Sequence, residues 1–358
     1  EKHLLKQLAS VTNYRLPNAI MLRIATPNKC TSSTAHDFKS LVLAVSGKAA
    51  VFLMCSGRSE LRCEWVYFMK PKATSICLIV LLVIQAGLLG YSAYVHSPTW
   101  DETGHLAAGL SHWELKRFDL YSVNPPLVRT IAAAPVYWFG DMQMDWDYYR
   151  KDPTLRTEVF LGRSMMQLNG ERALKYFFWA RLAVLPIALL GTWFCFLWGK
   201  SLFGHGAGVL AAFLWVFSPF VLGYGSVITP DLASAVAMLG ASFAAWKWMT
   251  HPTWSASLWV AVAFSLAMLT KSIWLILPLL LLSGWGVWRL VERFVPSASE
   301  GHNDEKLDST VSGSIAIQFG KWVFLTLLAV FLVNTFYGYQ DTMRPLGDFQ
   351  FVSHTLAG

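Results

Sequence analysis

From Ile76 onward the chain alternates long apolar runs with short polar turns, and about seven runs approach the length that crosses a bilayer as helix. The first covers residues 76–95. Arg58, Arg62, Lys70 and Lys72 precede it, while Asp101 and Glu102 follow, so the positive-inside rule starts it in the cytoplasm and puts residue 96 outside. Residues 96–178 contain no uninterrupted span and read as a long external loop. Within it, residues 131–139 are apolar but too short to cross, which predicts a helix in the interface. Trp113, Tyr137, Trp138, Trp146, Tyr148 and Tyr149 suit the headgroup level. Further spans are expected at 182–198, 207–222, 232–248, 258–269, 273–288 and 322–337. The basic turn at 200–205 and Arg289 and Arg293 then fall inside.

This count puts Asp101, Glu102, Asp231 and Lys271 on one external side; a shift by one span would separate Asp101 from Asp231. Charges beside lipid-facing spans cost about 2.5–3.5 kcal/mol each on insertion scales, so such groups are kept where they pair or do work. The reading divides the chain into three. Residues 1–72 form a poorly ordered or cytoplasmic head. Residues 73–340 form an all-α polytopic membrane domain with a flexible cytoplasmic loop at 296–313. Residues 341–358 form a truncated external tail. Inside the head, 41–55 is apolar but short and carries Lys48, which leaves a signal-like segment, a re-entrant piece or disordered sequence.

Composition agrees with a multi-spanning membrane protein: 54% of residues are apolar, 14% are charged and 17 are Trp, which excludes an ordinary soluble domain. The net charge of +7 does not call for nucleic acid, because the basic residues sit in loops and the head, where anionic lipid is the counter-charge. Five cysteines without a CxxC pair indicate neither a zinc site nor a disulfide framework.

Thr99 with Glu102 three residues later is a capping-box pattern, and Leu106, Leu110 and Trp113 recur on one helical face. The expected helix lies along the outer surface with His105 and His112 on its polar side. Asp101, one turn above a span, is placed to accept a proton from a nucleophile. Neighbouring helical residues point about 100° apart, so Asp101 and Glu102 cannot share one task. His105 follows Asp101 by four residues on the same face, a geometry that admits a divalent cation, although such a pair is more often merely solvated. Asn124-Pro125-Pro126-Leu127 forces an extended entry into the interfacial helix. Asp231 follows Thr229-Pro230 at a helix start. Lys271, between two spans, either snorkels to the interface or binds an anionic headgroup such as phosphate.

Trp100-Asp101-Glu102, Asn124-Pro125-Pro126-Leu127, Arg181-Leu182, Leu202-Phe203-Gly204, Thr229-Pro230-Asp231 and Leu269-Thr270-Lys271 occur in an order that resembles the GT-C membrane glycosyltransferases. The resemblance is nearest to glycosyltransferase family 39, the protein O-mannosyltransferase and aminoarabinose transferase superfamily. Asn124 stands where that family often has His. The resemblance implies inverting transfer of a sugar from a polyprenyl-phosphate carrier to a protein, lipid or glycan acceptor at the outer face of a bacterial inner membrane. Asp101 would be the base and Glu102 would orient it or bind acceptor. Asp231 would position sugar or acceptor, and Lys271 with Arg129 or Arg181 would hold the carrier phosphate. A transporter or flippase for a lipid-linked or anionic substrate is the alternative, with the same charges lining a path. A structural membrane protein whose charges only cap helices is the third class.

Overall fold

A computed structural model describes residues 19–21, 40–46, 49–55, 71–148, 157–294 and 315–348. The expected cytoplasmic loop at 296–313 and most of the head lie outside these residues. The chain divides into two units, residues 1–79 with 195–212 and residues 80–194 with 213–358.

In the first unit, strands β1 (Ala19–Met21), β2 (Ser40–Ser46) and β3 (Ala49–Cys55) form an antiparallel sheet in that order, with Ser46 opposite Ala49 and Ser40 opposite Cys55. The apolar run at 41–55 is therefore a hairpin. Seven residues per strand suit a strand and are far too few for a spanning helix. The same unit holds the turn between α5 (Arg172–Phe203) and α6 (His205–Val216). Gly204 there has φ +88°, a conformation open to glycine at no steric cost. Gly208 sits so near Phe196 that an added Cβ would lie 2.7 Å from its carbonyl oxygen. Small residues thus let the two helices reverse tightly.

All regular elements described in the second unit are helices. In chain order it holds most of α1 (Pro71–Val95), then α2 (Trp100–Glu114), α3 (Leu127–Phe139), α4 (Thr157–Asn169) and the first part of α5. There follow the end of α6, α7 (Pro219–Tyr224), α8 (Pro230–Thr250), α9 (Trp254–Thr270), α10 (Leu277–Phe294) and α11 (Ile315–Phe336). Four segments are long and apolar enough to cross a membrane: Pro71–Val95, Arg172–Phe203, Ser272–Val291 and Ile315–Phe336. The other runs expected to span are helical but shorter or more polar. The one at 207–222 breaks before Pro219, because a proline disfavours helical geometry at the residue preceding it and Ser218 is extended. α9 has 17 residues.

Three cores hold this unit together. Leu106, Leu110, Val128, Val136, Leu161, Met165 and Phe177 join α2, α3, α4 and α5; full burial of side chains of this size contributes about 1.5–3 kcal/mol each where water is the alternative. Leu89, Leu185, Val221 and Val236 join α1, α5, α7 and α8. Val260, Phe264, Leu281 and Leu325 join α9, α10 and α11. Buried polar pairs add register between apolar helices. The Thr192 hydroxyl donates to Gln85 Oε1 at 2.5 Å, and Trp285 Nε1 donates to Gln318 Oε1 at 2.9 Å.

Candidate active site

The site grows from the N-terminus of α2. The Glu102 carboxylate closes the expected capping pattern by accepting the Thr99 N–H at 2.8 Å. It does far more than cap. Oε1 accepts from Arg181 Nε at 2.8 Å and from the Ile228 N–H at 3.0 Å, and Oε2 accepts from an Arg181 Nη at 2.6 Å. With four bonds its acceptor capacity is filled. Arg181 is equally committed: besides Glu102 it donates to the carbonyls of Ala93, His96 and Ser97, which engages all five of its N–H groups. The two side chains are 0% and 3% exposed. The clamp ties together the end of α1, the start of α2, the middle of α5 and the loop before α8.

Through Ile228 the clamp brings Asp231 to the same end of the bundle. Asp231 sits in the first turn of α8, where helix partial charges favour an anion, and Lys271 directly follows α9, where they favour a cation. Lys271 Nζ donates to Asp231 Oδ1 at 2.8 Å, and both side chains are about one-third exposed. Lys271 is therefore an ion-pair partner of Asp231. Trp274 Nε1 donates to Ser234 beneath the pair at 2.7 Å. Asp101 is exposed and makes no hydrogen bond or ion pair among the described residues. Asn124 is half-buried ahead of α3, likewise without a hydrogen bond among them.

The histidines correct the sequence reading. α2 is no surface helix: His105 and His112 are each 4% exposed. Tyr121 covers His105, Phe118 and Arg129 cover His112, and α4 packs on the adjoining face of α2. Gly162 of α4 lies so close to α2 that an added Cβ would come within 2.7 Å of the Thr103 backbone, and Gly109 of α2 meets the Arg129 carbonyl of α3 as closely. His105 packs on Tyr121 with ring centroids 4.8 Å apart. Burial, reinforced by the Arg129 charge, lowers its pKa to about 4, against the opposing pull of Asp231 and Glu102. Burial and Arg129 likewise lower His112 to about 3. Its Nδ1–H donates to the Arg117 carbonyl at 2.7 Å, and its Nε2 accepts from Arg129 Nε at 2.9 Å. Arg129 itself is 2% exposed.

His105 thus faces the aromatic core beside Tyr121, and no group of three or more His, Cys, Asp or Glu positioned to hold a metal occurs among the described residues. Reasoning from sequence missed Glu158, a buried acid in the first turn of α4 whose charge reaches Arg129. The glycines flanking it in space, Gly104 and Gly162, were the available signal of a second helix packed on α2.

Residues 160–297 match the family model described as dolichyl-phosphate-mannose-protein mannosyltransferase. No curated protein and no solved structure matches. The match supports a membrane glycosyltransferase of the GT-C type using a polyprenyl-phosphate sugar donor. It spans Arg181, Asp231 and Lys271, whereas Asp101 and Glu102 precede it in the chain. The clamp joins the two parts, because two residues inside the matched segment, Arg181 and Ile228, supply three of the four donors to Glu102.

Proposed function

We propose that the chain is an inverting glycosyltransferase that moves a sugar from a polyprenyl-phosphate carrier to a hydroxyl of a protein, lipid or glycan acceptor. The reaction takes place at the external face of a bacterial inner membrane. The acceptor oxygen attacks the anomeric carbon as the bond from that carbon to the phosphate oxygen breaks, and the carrier phosphate leaves with the bonding electron pair. Displacement from the far side inverts the anomeric centre. Asp101 receives the hydroxyl proton as general base, an effect typically worth about 10²–10⁴ in rate.

Lys271 meets the charge that develops on the leaving phosphate. One of its three N–H groups is taken by Asp231 and two are available to phosphate oxygens. Asp231 holds the ammonium in place and offers its second oxygen to a sugar hydroxyl. Fixed donors aimed at developing charge in a site poor in water give the largest single gain such an active site makes. Glu102 and Arg181 act as positioning residues, since every bond they can make is already spent on the scaffold. Phosphate contact by Arg181 and acceptor contact by Glu102, both implied by resemblance, are set aside on that ground.

The observation carrying this reading is the bond from the Ile228 N–H to Glu102. It ties the loop three residues before Asp231, the partner of Lys271, to the first turn of α2, which supports a site shared with Asp101. The test is incubation of purified protein with labelled polyprenyl-phosphate sugar and a membrane acceptor extract. Wild type is expected to form labelled product and Asp101→Asn to fall by about 100-fold or more. Equal transfer by the two proteins overturns the proposal.

A further inference from the structure

Among the described residues of the second unit two arginines are buried, and they differ in one respect. Arg181 has every N–H engaged. Arg129 spends its Nε on His112, and its Nη1 is buried with no hydrogen-bond partner. The Tyr121 ring lies 5.1 Å from the guanidinium carbon, and no carboxylate forms an ion pair with Arg129 among the described residues. Glu158, Tyr337, Tyr121 and the neutral His105 and His112 are the titratable groups whose charge or contact reaches it. A buried cation with no anion in hydrogen-bond contact is costly, and a protein that keeps one gains by receiving that contact from a ligand.

The cluster is covered by the turn that follows α11. Phe118 stacks on His112 with centroids 4.6 Å apart and touches Phe336 and Tyr337 on its other side, at 6.3 and 5.4 Å. Gln340 Nε2 donates to the Lys116 carbonyl at 2.6 Å, latching the turn over the α2–α3 connection. Within this turn Tyr339, Asp341 and Met343 hold φ between +56° and +62°, left-handed geometry that costs non-glycine residues energy. Residues 339–344 are exposed and partly in left-handed geometry, and Gln340 with the Phe118 contacts joins this turn to the cluster around Arg129.

We propose that Arg129 forms a second oxyanion site, closed by the 337–344 turn and separate from Lys271, that holds a phosphate carried by the acceptor. A polyprenyl-phosphate donor has one phosphate, and Lys271 is assigned to it; an anion at Arg129 then belongs to the other substrate. That assignment rests on the transferase reading, whereas the existence of the oxyanion site does not. Guanidinium geometry suits phosphate oxygens through paired N–H groups, and the Tyr337 hydroxyl is a further donor once the turn swings aside.

Thermal unfolding of the full chain in detergent, titrated with inorganic phosphate against sodium chloride of equal ionic strength, tests the site. Wild type is expected to gain several degrees with phosphate. Arg129→Met should lose the phosphate response, while Lys271→Gln should keep it. Gln340→Ala, an exposed change, should bring the response at lower phosphate, because less is spent on opening the cover; it decides the matter if Arg129→Met does not fold. No phosphate response in wild type overturns the site, as does an unchanged response in Gln340→Ala. Polyprenyl phosphate separates the sources: its stabilising effect should vanish in Lys271→Gln and persist in Arg129→Met, and the reverse shows that Arg129 serves the carrier. If polyprenyl phosphate has no effect on any protein, the transferase reading fails while inorganic phosphate still judges Arg129.

Discussion

Replacing Glu102 by Gln separates positioning from chemistry at adjacent residues. The amide is nearly isosteric, yet it presents two N–H donors where the carboxylate presented only acceptors. If the nitrogen replaces Oε1, it confronts Arg181 Nε and the Ile228 N–H; if it replaces Oε2, it confronts Arg181 Nη and the Thr99 N–H. Either way two of four hydrogen bonds are lost, and Arg181 keeps its charge in a pocket where it is 3% exposed. Breaking a buried pair by removing one partner typically costs about 3–5 kcal/mol, a large share of a marginal total. Asp101→Asn, one residue away, removes an exposed carboxylate without partners among the described residues and should change stability by less than about 0.5 kcal/mol. Unfolding in detergent by denaturant, run beside the sugar-transfer assay, reads both effects. Glu102→Gln should lose stability and transfer together, and Asp101→Asn should lose transfer alone. If Glu102→Gln unfolds within about 1 kcal/mol of wild type, the clamp does not hold the site as argued.

Other outcomes follow from the same contacts. His105 and His112 have folded pKa values near 4 and 3, below the ordinary 6.5, so the unfolded chain binds more protons as acid is added. Stability is therefore lost as pH falls below 6.5, by about 2 kcal/mol for each histidine at pH 5; a midpoint that is flat or rising from pH 7.5 to 5 refutes their neutral burial. Gly162→Ala forces α2 and α4 apart and should cost about 1–3 kcal/mol in thermal unfolding, with a smaller penalty showing that the helices are not in close contact. Lys271→Gln should raise KM for the carrier and lower kcat, and transfer at the wild-type rate removes lysine from the leaving-group role.

What could be read from the sequence was local or compositional. The start of α2 after Thr99, the entry to α3 after two prolines and the apolar helices each follow from neighbours a few residues apart. The role of Glu102 does not: its partners Arg181 and Ile228 are 79 and 126 residues away, and no short pattern announces a bond of that range. The histidine face was misjudged because one apolar stripe on α2 implied one covered side, whereas Gly104 and Gly109 allow helices on two. The two strands were not among the readings of the apolar run at 41–55 (signal-like, re-entrant or disordered), because so short a run carries no periodicity that tells a strand from a helix.

Whether Asp101 and Asp231 share one cavity outside the cytoplasm is tested most directly by sided labelling. Asp101→Cys and Asp231→Cys are placed singly, in a background with Cys30, Cys55, Cys63, Cys77 and Cys195 replaced by serine, and sealed oriented vesicles are treated with a membrane-impermeant maleimide. Both cysteines should react from the non-cytoplasmic side alone, and polyprenyl phosphate should slow both reactions. Labelling from opposite sides, or reaction rates indifferent to the carrier, contradicts a common sugar-transfer site.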